Sequence, residues 1–218
     1  MKISGFKDTL DWYRKNIQSY TKGYYKYKKQ QNEGEVYEFS KFLSKGAKVL
    51  DAGCAAGRDS KYLAEEGLNV VGIDLIQEFV DLARKHEPRA EFIQGSFLEL
   101  PFQQNSFDGI WANASLLHFE TVEEVEKSLA QFYKVIKNGG ILHVKVKAQK
   151  GAEKFVIIKD KLSKHDRFFQ LFTLEEIKKL VTKAGFEIIK LEQYDETKKF
   201  GKVGRKGLEW IWCLARKR

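Results

Sequence analysis

The sequence has few of the residues that cross-link a fold or carry it into a membrane. Its 218 residues include two cysteines and two prolines. Cys54 and Cys213 lie far apart in the chain, so they predict neither a disulfide framework nor a four-ligand zinc site. No apolar run approaches the roughly 20 residues of a membrane-spanning helix, and residues 1–6 lack the apolar core of a signal peptide. These absences predict a reduced, cytoplasmic protein with no metal centre and no membrane segment.

Acidic residues are in the minority at both ends of the chain but not in its middle. Residues 1–46 contain 10 basic and 5 acidic side chains, and residues 145–218 contain 20 and 10, whereas residues 47–144 contain 9 and 15. The net charge of the whole chain is +9. An acidic middle suits a ligand with positive charge, whereas basic ends suit an anionic partner such as RNA, a phosphorylated metabolite or an acidic lipid. A solvated, lysine-rich surface is the alternative interpretation of the ends.

Short apolar runs alternate with amphipathic stretches, and neither a repeat nor a second domain interrupts them. Strands are predicted over residues 48–52, 69–74, 91–94, 107–112, 141–147, 186–193 and 208–215. Helices are predicted over residues 9–20, 31–43, 58–66, 77–86, 122–136 and 173–184. Residues 148–170 are predicted to form a lysine-rich inserted loop. The alternation predicts an α/β fold with a doubly wound, mostly parallel sheet of seven strands. Since no helix is predicted between the last two strands, one of them is expected to be antiparallel.

The most informative segment covers residues 49–57, which read Val-Leu-Asp-Ala-Gly-Cys-Ala-Ala-Gly. A strand ends at Asp51, a loop with Gly53 and Gly57 follows, and a helical pattern begins at Arg58. The next strand ends in Asp74, 23 residues after Asp51 and close to the ~20 expected for an acid that accepts hydrogen bonds from ribose hydroxyls. The segment predicts a nucleotide-type cofactor across the carboxyl ends of two parallel strands.

The sequence lacks the turn that would make this cofactor a dinucleotide. A pyrophosphate requires Gly-x-Gly-x-x-Gly before a helix N-terminus, whereas the spacing here is Asp-x-Gly-x-x-x-Gly. The carboxylate of Asp51 at the edge of the turn would repel phosphate. A cationic ligand fits better, and S-adenosylmethionine (SAM) carries a sulfonium and an amino group but no phosphate.

On these residues the sequence resembles the class I SAM-dependent methyltransferases, of the small single-domain bacterial type whose acceptor is unassigned. Residues 49–57 are similar to the first motif of the family and residues 70–74 to the second, although Ala55 stands where the family has its middle glycine. The resemblance covers about residues 44–216. It implies a Rossmann-like methyltransferase fold with helices on both faces of a seven-stranded sheet, SAM as the cofactor and S-adenosylhomocysteine (SAH) as the product.

The resemblance also implies how the chain is divided. One methyltransferase domain is expected over residues 1–218. Within it, residues 1–43 form a helical cap over the cofactor, residues 44–147 the SAM-binding half, and residues 148–218 the acceptor-side half with the inserted loop and a C-terminal hairpin.

The cofactor-binding residues implied by the resemblance lie at four strand ends. Asp51 acts on the amino group of SAM, directly or through water, and Asp74 binds the ribose hydroxyls. Ser96 stands in place of the family's acid that bonds the adenine amino group, and Asn113 borders the sulfonium through its backbone carbonyl. The full set is Asp51, Gly53, Cys54, Gly57, Arg58, Asp74, Leu75, Ser96, Phe97 and Asn113.

Three residues are candidates for a catalytic role. His118 follows the fourth strand at the mouth of the expected site, where it suits a general base; an ordinary helix-start or interface histidine is the alternative. Tyr13 and Tyr20 lie on the N-terminal helix, which in similar methyltransferases covers the cofactor, so either would shield the methyl group from water. Aromatic packing of an amphipathic helix explains them equally well.

Four residues are candidates for binding the acceptor. Lys145 alternates with Lys147 at the end of the fifth strand. Arg167 would clamp an anionic acceptor through its planar guanidinium, while Phe168 and Trp210 would pack against an apolar or planar one. A structural role is the alternative for each.

Methyl transfer to a small-molecule acceptor is the expected function, because the chain is minimal and lacks an appended RNA-binding module. In-line displacement itself requires alignment more than catalytic groups. A tRNA or other RNA methyltransferase is the second interpretation, suggested by the basic ends and the tyrosine- and lysine-rich residues 22–29. A SAM-binding regulatory protein without transfer activity is the third, for which Ala55 and Ser96 are the hints. A monomer or a homodimer is expected.

Overall fold

The computed structural model describes residues 5–26, 29–159 and 165–218. Nine strands and eight α-helices lie in this part of the chain. The strands are β1 Lys48–Ala52, β2 Asn69–Asp74, β3 Glu91–Gln94, β4 Phe107–Asn113, β5 Ile136–Lys147, β6 Phe155–Ile158, β7 Arg167–Gln170, β8 Phe186–Asp195 and β9 Glu209–Lys217. The α-helices are α1 Phe6–Lys15, α2 Ile17–Lys26, α3 Lys29–Ser40, α4 Arg58–Glu65, α5 Gln77–His86, α6 Val122–Val135, α7 Leu174–Lys183 and α8 Glu196–Phe200. None of these helices is both long and apolar enough to cross a membrane.

Seven strands form one sheet in the order β3-β2-β1-β4-β5-β9-β8. Strands β1 to β5 pair in parallel, and β9 runs antiparallel to both of its neighbours, β5 and β8. The predicted mostly parallel sheet with an antiparallel last strand is therefore confirmed. The strand order reverses between β1 and β4, so a crevice opens beyond the carboxyl ends of these strands.

Helices pack on both faces of the sheet because neighbouring strand residues point to opposite sides. Val49 in β1 packs in a cluster with Phe39 of α3 and Leu63 of α4. The next residue, Leu50, belongs to the larger cluster that includes Phe132 of α6. All five side chains are almost completely buried.

The helix predicted over residues 9–20 is two helices in the structure. Helix α1 ends at Lys15 and α2 begins at Ile17. At the break, the side-chain amide of Asn16 donates a hydrogen bond to the carbonyl of Trp12 at 2.9 Å. A side chain that bonds its own helix backbone competes with the next turn, and the periodic pattern of aromatic residues concealed this break.

The predicted loop over residues 148–170 was wrong in part, because it contains a hairpin. Strands β6 and β7 pair antiparallel, from Phe155 opposite Gln170 to Ile158 opposite Arg167. Each strand has four residues, which is too short for a periodic signal among lysines. Residues 160–164 of the predicted loop lie outside the described residues.

Two further boundaries differ from the prediction. Strand β5 begins at Ile136, and the Asn-Gly-Gly segment at 138–140 lies inside the strand, where Gly139 has φ +77°. A glycine in a strand often marks a bulge rather than a turn. Helix α8 lies between β8 and β9, where none was predicted; the Asp195 carboxylate caps it by accepting from the backbone N–H groups of Thr197 and Lys198.

Helix α1 and the β6–β7 hairpin, which we call the roof, cover the crevice. The backbone N–H of Phe168 in β7 donates to the hydroxyl of Thr9 in α1 at 2.8 Å. The ring of Phe6 stacks on Phe119, with ring centres 5.9 Å apart. The roof therefore closes the carboxyl edge of the sheet from above.

Candidate active site

A cavity of about 700 Å³ lies between the roof and the carboxyl ends of the strands. This volume is within the roughly 300–1,000 Å³ usual for small-molecule sites. Many of the residues predicted from sequence line it: Tyr13, Tyr20, Gly53, Arg58, Asp74, Leu75, Phe97, Asn113, His118, Lys145, Arg167 and Trp210. The lining does not include Asp51, Cys54, Gly57, Ser96 or Phe168.

The turn after β1 requires backbone angles that favour glycine. Gly53 has φ +86° and Gly57 φ +84°. A Cβ atom on Gly53 would lie 2.5 Å from the Cβ of Ser115, so the turn approaches the loop after β4 too closely for a side chain. Ala55 has φ +44°, a left-handed conformation that costs a non-glycine residue about 1–2 kcal/mol. Ala55 stands where the resembled family has glycine, and the backbone at this position is therefore strained.

Asp74 connects this turn to the end of β2. Its Oδ2 accepts a hydrogen bond from the backbone N–H of Ala55 at 3.0 Å, and its Oδ1 accepts one from Ile76 at 3.0 Å. Burial raises the pKa of Asp74 to about 6, although the backbone N–H groups oppose the shift. The two bonds fix the carboxylate at the cavity wall, while its remaining lone pairs can accept hydrogen bonds from a ligand.

Asp51 lies behind the turn rather than in the cavity. It is 2% exposed, and its Oδ2 accepts a hydrogen bond from the hydroxyl of Ser60 at 2.6 Å. Burial, together with the negative charge of Asp59, raises the pKa of Asp51. The expected contact between Asp51 and the amino group of SAM therefore stays a prediction.

Asp59, which the sequence reasoning missed, contacts the carboxyl end of β4. Its Oδ2 accepts hydrogen bonds from the Asn113 amide at 2.6 Å and from the Trp111 indole at 3.1 Å. Its Oδ1 accepts one from Arg58 at 2.7 Å. Burial opposes ionisation, but the Arg58 charge and these hydrogen bonds outweigh it and lower the pKa of Asp59. The Asn113 NH₂ group is held by Asp59, and the expected contact between the Asn113 backbone carbonyl and the sulfonium stays a prediction.

His118 contacts both parts of the roof, helix α1 through Tyr13 and strand β7 through Phe168. Its Nδ1 is 3.2 Å from the carbonyl of Phe168, and its Nε2 is 3.2 Å from the Tyr13 hydroxyl. A carbonyl can only accept, so we assign the proton of the neutral ring to Nδ1, and the Tyr13 hydroxyl donates to Nε2. Burial lowers the pKa of His118 to about 4, and the nearby charges of Lys147 and Arg167 lower it further against the Phe168 hydrogen bond. The imidazole is therefore neutral at neutral pH.

The two candidate tyrosines form an aromatic wall with Phe79. The ring centres of Tyr13 and Tyr20 are 5.0 Å apart, and those of Tyr13 and Phe79 are 5.9 Å apart. Burial raises the pKa of Tyr13, so its hydroxyl stays protonated and acts as a hydrogen-bond donor. The wall places aromatic rings along the cavity, and the expected shielding of the methyl group from water stays a prediction.

Phe168 does not face the cavity, and its neighbour Phe169 does. Side chains alternate along a strand, so Arg167 and Phe169 of β7 line the cavity while Phe168 points away from it. The Phe168 ring stacks on Phe155 with centres 5.5 Å apart. The expectation that Phe168 packs against the acceptor does not fit this geometry, and knowledge of the hairpin register would have selected Phe169.

Buried carboxylates hold two of the other predicted acceptor residues. The ammonium of Lys145 lies 2.9 Å from Glu35 of α3. The indole of Trp210 donates to Glu196 of α8 at 2.6 Å, and Glu196 also pairs with Arg205 at 2.6 Å. Sequence reasoning gave no role to either acid, because both pairs join segments that are distant in the chain.

Comparison with known proteins identifies sequences that are similar to this chain. Residues 50–144 match the family model described as "Methyltransferase domain". The chain is 32% identical over 159 residues to 24-methylenesterol C-methyltransferase 2 from Arabidopsis thaliana, covering 66% of this chain and 43% of that protein. It is 34% identical over 99 residues to an uncharacterized methyltransferase from Synechocystis sp., covering 45% of this chain and 46% of that one. The chain thus spans less than half the length of these curated relatives.

Solved structures show the same fold. A SAM-dependent methyltransferase from Methanosarcina mazei has a TM-score of 0.72 at 24% identity, covering 81% of this chain and 95% of that chain. The 1,6-didemethyltoxoflavin-N1-methyltransferase from Burkholderia thailandensis, crystallised with its didemethyltoxoflavin and SAH, has a TM-score of 0.70 at 23% identity, covering 95% and 87%. The fold is thus the Rossmann-like methyltransferase fold. Within this fold, residues 50–144 carry the match to the methyltransferase domain.

The residues present in the cavity fit SAM. Asp74, fixed by two backbone N–H groups, offers a carboxylate for the ribose hydroxyls. Leu75, Ile76 and Phe97 supply an apolar wall suited to adenine. No Gly-x-Gly-x-x-Gly turn is present for a pyrophosphate. The set therefore suits a nucleoside rather than a dinucleotide.

Proposed function

We propose that the protein transfers a methyl group from SAM to a small molecule bound in the same cavity. The supporting observation is that Asp74 at one end and Arg167 and Trp210 at the other line one continuous space, with Tyr13 and His118 between them. If the cofactor and the acceptor occupied separate sites, the acceptor would have to reach the methyl group from outside the roof, as a macromolecule would. The sterol and toxoflavin methyltransferases described above carry small-molecule names, which agrees with this proposal.

Bound SAM supplies a methyl group activated by a sulfonium, and the protein's own residues supply alignment. Asp74, Leu75 and the turn at Gly53 hold the nucleoside, while Tyr13, Tyr20 and Phe79 exclude water. Correct alignment of two reactants is worth several kcal/mol, up to about 7–11 kcal/mol in favourable cases.

The Tyr13–His118 pair supplies a path for a proton. The unprotonated Nε2 of His118 accepts the hydroxyl proton of Tyr13 as that hydroxyl takes a proton from the acceptor. The Phe168 carbonyl holds the Nδ1 proton in place meanwhile. This step is needed only for an acceptor atom that loses a proton on methylation.

Labelled SAM and fractionated cell lysate test the proposal. We expect label from the methyl group to enter the low-molecular-mass fraction, with SAH formed in equal amount. Label in RNA would favour the RNA alternative instead, and tight SAM binding without SAH formation in any fraction would favour a regulatory protein.

The RNA alternative makes a separate prediction. Bulk tRNA would bind with an affinity that falls steeply as the salt concentration rises. Residues 22–29, on which this alternative depends, lie largely outside the side chains that the structure describes. The small-molecule enzyme that we propose shows no such binding.

The remaining expectations belong to the same proposal. They are a single domain with its cap over residues 1–43, a cytoplasmic location, a monomer or homodimer, and transfer without a metal. Size-exclusion chromatography with light scattering tests the oligomeric state, and activity in the presence of a chelator tests the independence from metal.

A further inference from the structure

The cavity contains more positive charge than its acidic residues balance. Its basic lining residues are Arg58, Lys145, Lys147, Arg167 and Arg205. Three of them have a buried carboxylate partner within 2.9 Å: Arg58 has Asp59, Lys145 has Glu35 and Arg205 has Glu196. Among the described lining residues, Asp74 is the one acid, and it lies at the cofactor end.

Lys147 and Arg167 have no such carboxylate partner. In the described part of the chain, no carboxylate lies within 4.0 Å of either side chain. The Nε of Arg167 is buried and makes no hydrogen bond there. Burying a charge without a partner is costly unless a ligand supplies the opposite charge.

Aromatic rings fix both cations beside His118. The Arg167 guanidinium carbon lies 3.9 Å from the ring centre of Trp12. The Lys147 ammonium lies 3.7 Å and the Arg167 guanidinium 5.6 Å from the ring centre of Phe169. The His118 ring is centred 5.0 Å from that same ring. The two cations and His118 therefore surround one side chain.

The titration behaviour of Lys147 agrees with a missing anion. Burial lowers its pKa to about 8, and the positive charges of Arg205 and Arg167 lower it further, whereas Glu196 opposes the shift. These are the charged groups that face it. Lys147 and Arg167 also depress the pKa of His118, so an anion between them would make His118 a stronger base.

We infer that the acceptor is a small molecule with an oxyanionic group, bound jointly by the Arg167 guanidinium and the Lys147 ammonium beside His118. This inference rests on the proposed function, because it concerns the acceptor end of the same cavity. A planar carboxylate matches the guanidinium fork in two parallel hydrogen bonds, and a phosphate ester offers the same oxygen chemistry. Either group leaves the rest of the acceptor directed toward the cofactor.

Calorimetric titration of the SAH-saturated protein tests the inference. The probes are benzoate, phenyl phosphate and the neutral benzamide. We expect at least one of the two oxyanions to bind tenfold or more tightly than benzamide, and the stronger of them identifies the oxyanion class. Because binding restores the charge of Lys147, we expect proton uptake when the titration is repeated near pH 8 in buffers of different ionisation enthalpy.

Charge-neutral variants supply the residue-level test. Arg167→Gln and Lys147→Gln should each weaken oxyanion binding at least tenfold. Arg167→Lys keeps the positive charge, so its oxyanion affinity should fall by a smaller factor. Lys178→Gln, at an exposed position of α7, is the matched control and should bind like the wild type. Thermal unfolding of each variant establishes that the fold is retained, and the Lys147 variant covers the case in which Arg167→Gln does not fold.

The outcomes separate this inference from the proposed function. Failure of the wild type to bind SAH would refute the proposed function itself. Normal SAH binding with equal affinity for benzamide and both oxyanions would overturn the inference alone. So would variants that lose SAH affinity rather than oxyanion affinity, because the two cations would then hold the carboxylate of the cofactor. Binding of tRNA that depends on Arg167 would also overturn it, in favour of RNA.

Discussion

Replacing Asp74 by asparagine removes the charge of the residue that we expect to bind the cofactor ribose, with little change in shape. The carboxylate accepts hydrogen bonds from Ala55 and Ile76 in the free protein. An asparagine amide oxygen can keep one of these bonds, but its NH₂ group faces the other N–H. A hydrogen bond to a charged group contributes about 1.5–3 kcal/mol. We therefore expect SAH to bind about 1–3 kcal/mol more weakly, which is roughly a 5- to 140-fold change.

The pKa of Asp74 gives the same prediction a pH dependence. Ribose hydroxyls donate to the ionised carboxylate, so SAH favours that form. The affinity of the wild type for SAH should rise as the pH increases toward about 6, the raised pKa of Asp74, and level off above it. The free energy of unfolding depends on pH in the opposite direction. Because burial raises the pKa of Asp74 in the folded state above its unfolded value, Asp74 contributes most to stability at low pH. That contribution is lost as the pH rises through about 6.

Isothermal titration with SAH between about pH 5 and pH 8 measures both the loss of affinity and its pH dependence. Asp74→Asn should be weaker throughout and lose the dependence on pH. Asp81→Asn is the matched control, since Asp81 lies on α5 and its side chain is 53% exposed. An Asp74→Asn variant that binds SAH as tightly as the wild type would remove Asp74 from the cofactor site.

Other substitutions test the turn and the proton path. Ala55→Gly should relieve the positive φ and raise the free energy of unfolding by about 0.5–1 kcal/mol after the entropic cost of glycine; a lower midpoint in chemical denaturation would contradict the strain. Gly53→Ala should prevent SAH binding, because its Cβ would meet Ser115 at 2.5 Å. An unchanged SAH affinity in calorimetry would disprove the close approach of the turn to Ser115. His118→Ala should slow turnover and leave SAH affinity intact, and a variant with full rate for an acceptor that loses a proton would make His118 structural. Tyr13→Phe should likewise lower the rate of methyl transfer in single-turnover assays, although the variant retains the aromatic wall.

Local patterns predicted the cofactor half because its motifs are continuous in sequence. Gly53, Gly57 and Asp74 lie at the ends of two strands that are strongly apolar, and the parallel register brings them together. The apolar runs of β1 and β2 define where these strands lie, and the helix that connects them favours a parallel pair. For this reason the first half of the sheet has the predicted boundaries almost without change.

The contacts of the acceptor half were harder to predict from the sequence, because they join distant segments. Nothing near Lys145 in the sequence indicates that Glu35, 110 residues earlier, pairs with it. The register of the β6–β7 hairpin decides whether Phe168 or Phe169 faces inward, and four-residue strands contain too little pattern to fix a register. Asp59 reads locally as an acid at the start of a helix, and its contact with Asn113 emerges only when α4 and β4 pack together.

Strand β7 makes three contacts that join it to helix α1 and to His118. Its Phe168 amide bonds to Thr9 of α1, its Phe168 carbonyl holds His118, and its Arg167 side chain stacks on Trp12. A substitution in this strand would therefore disturb the hydrogen bond of His118 and the position of the covering helix together. Lys147 of β5 also contacts β7, at the Phe169 ring, but its substitution leaves these three contacts in place.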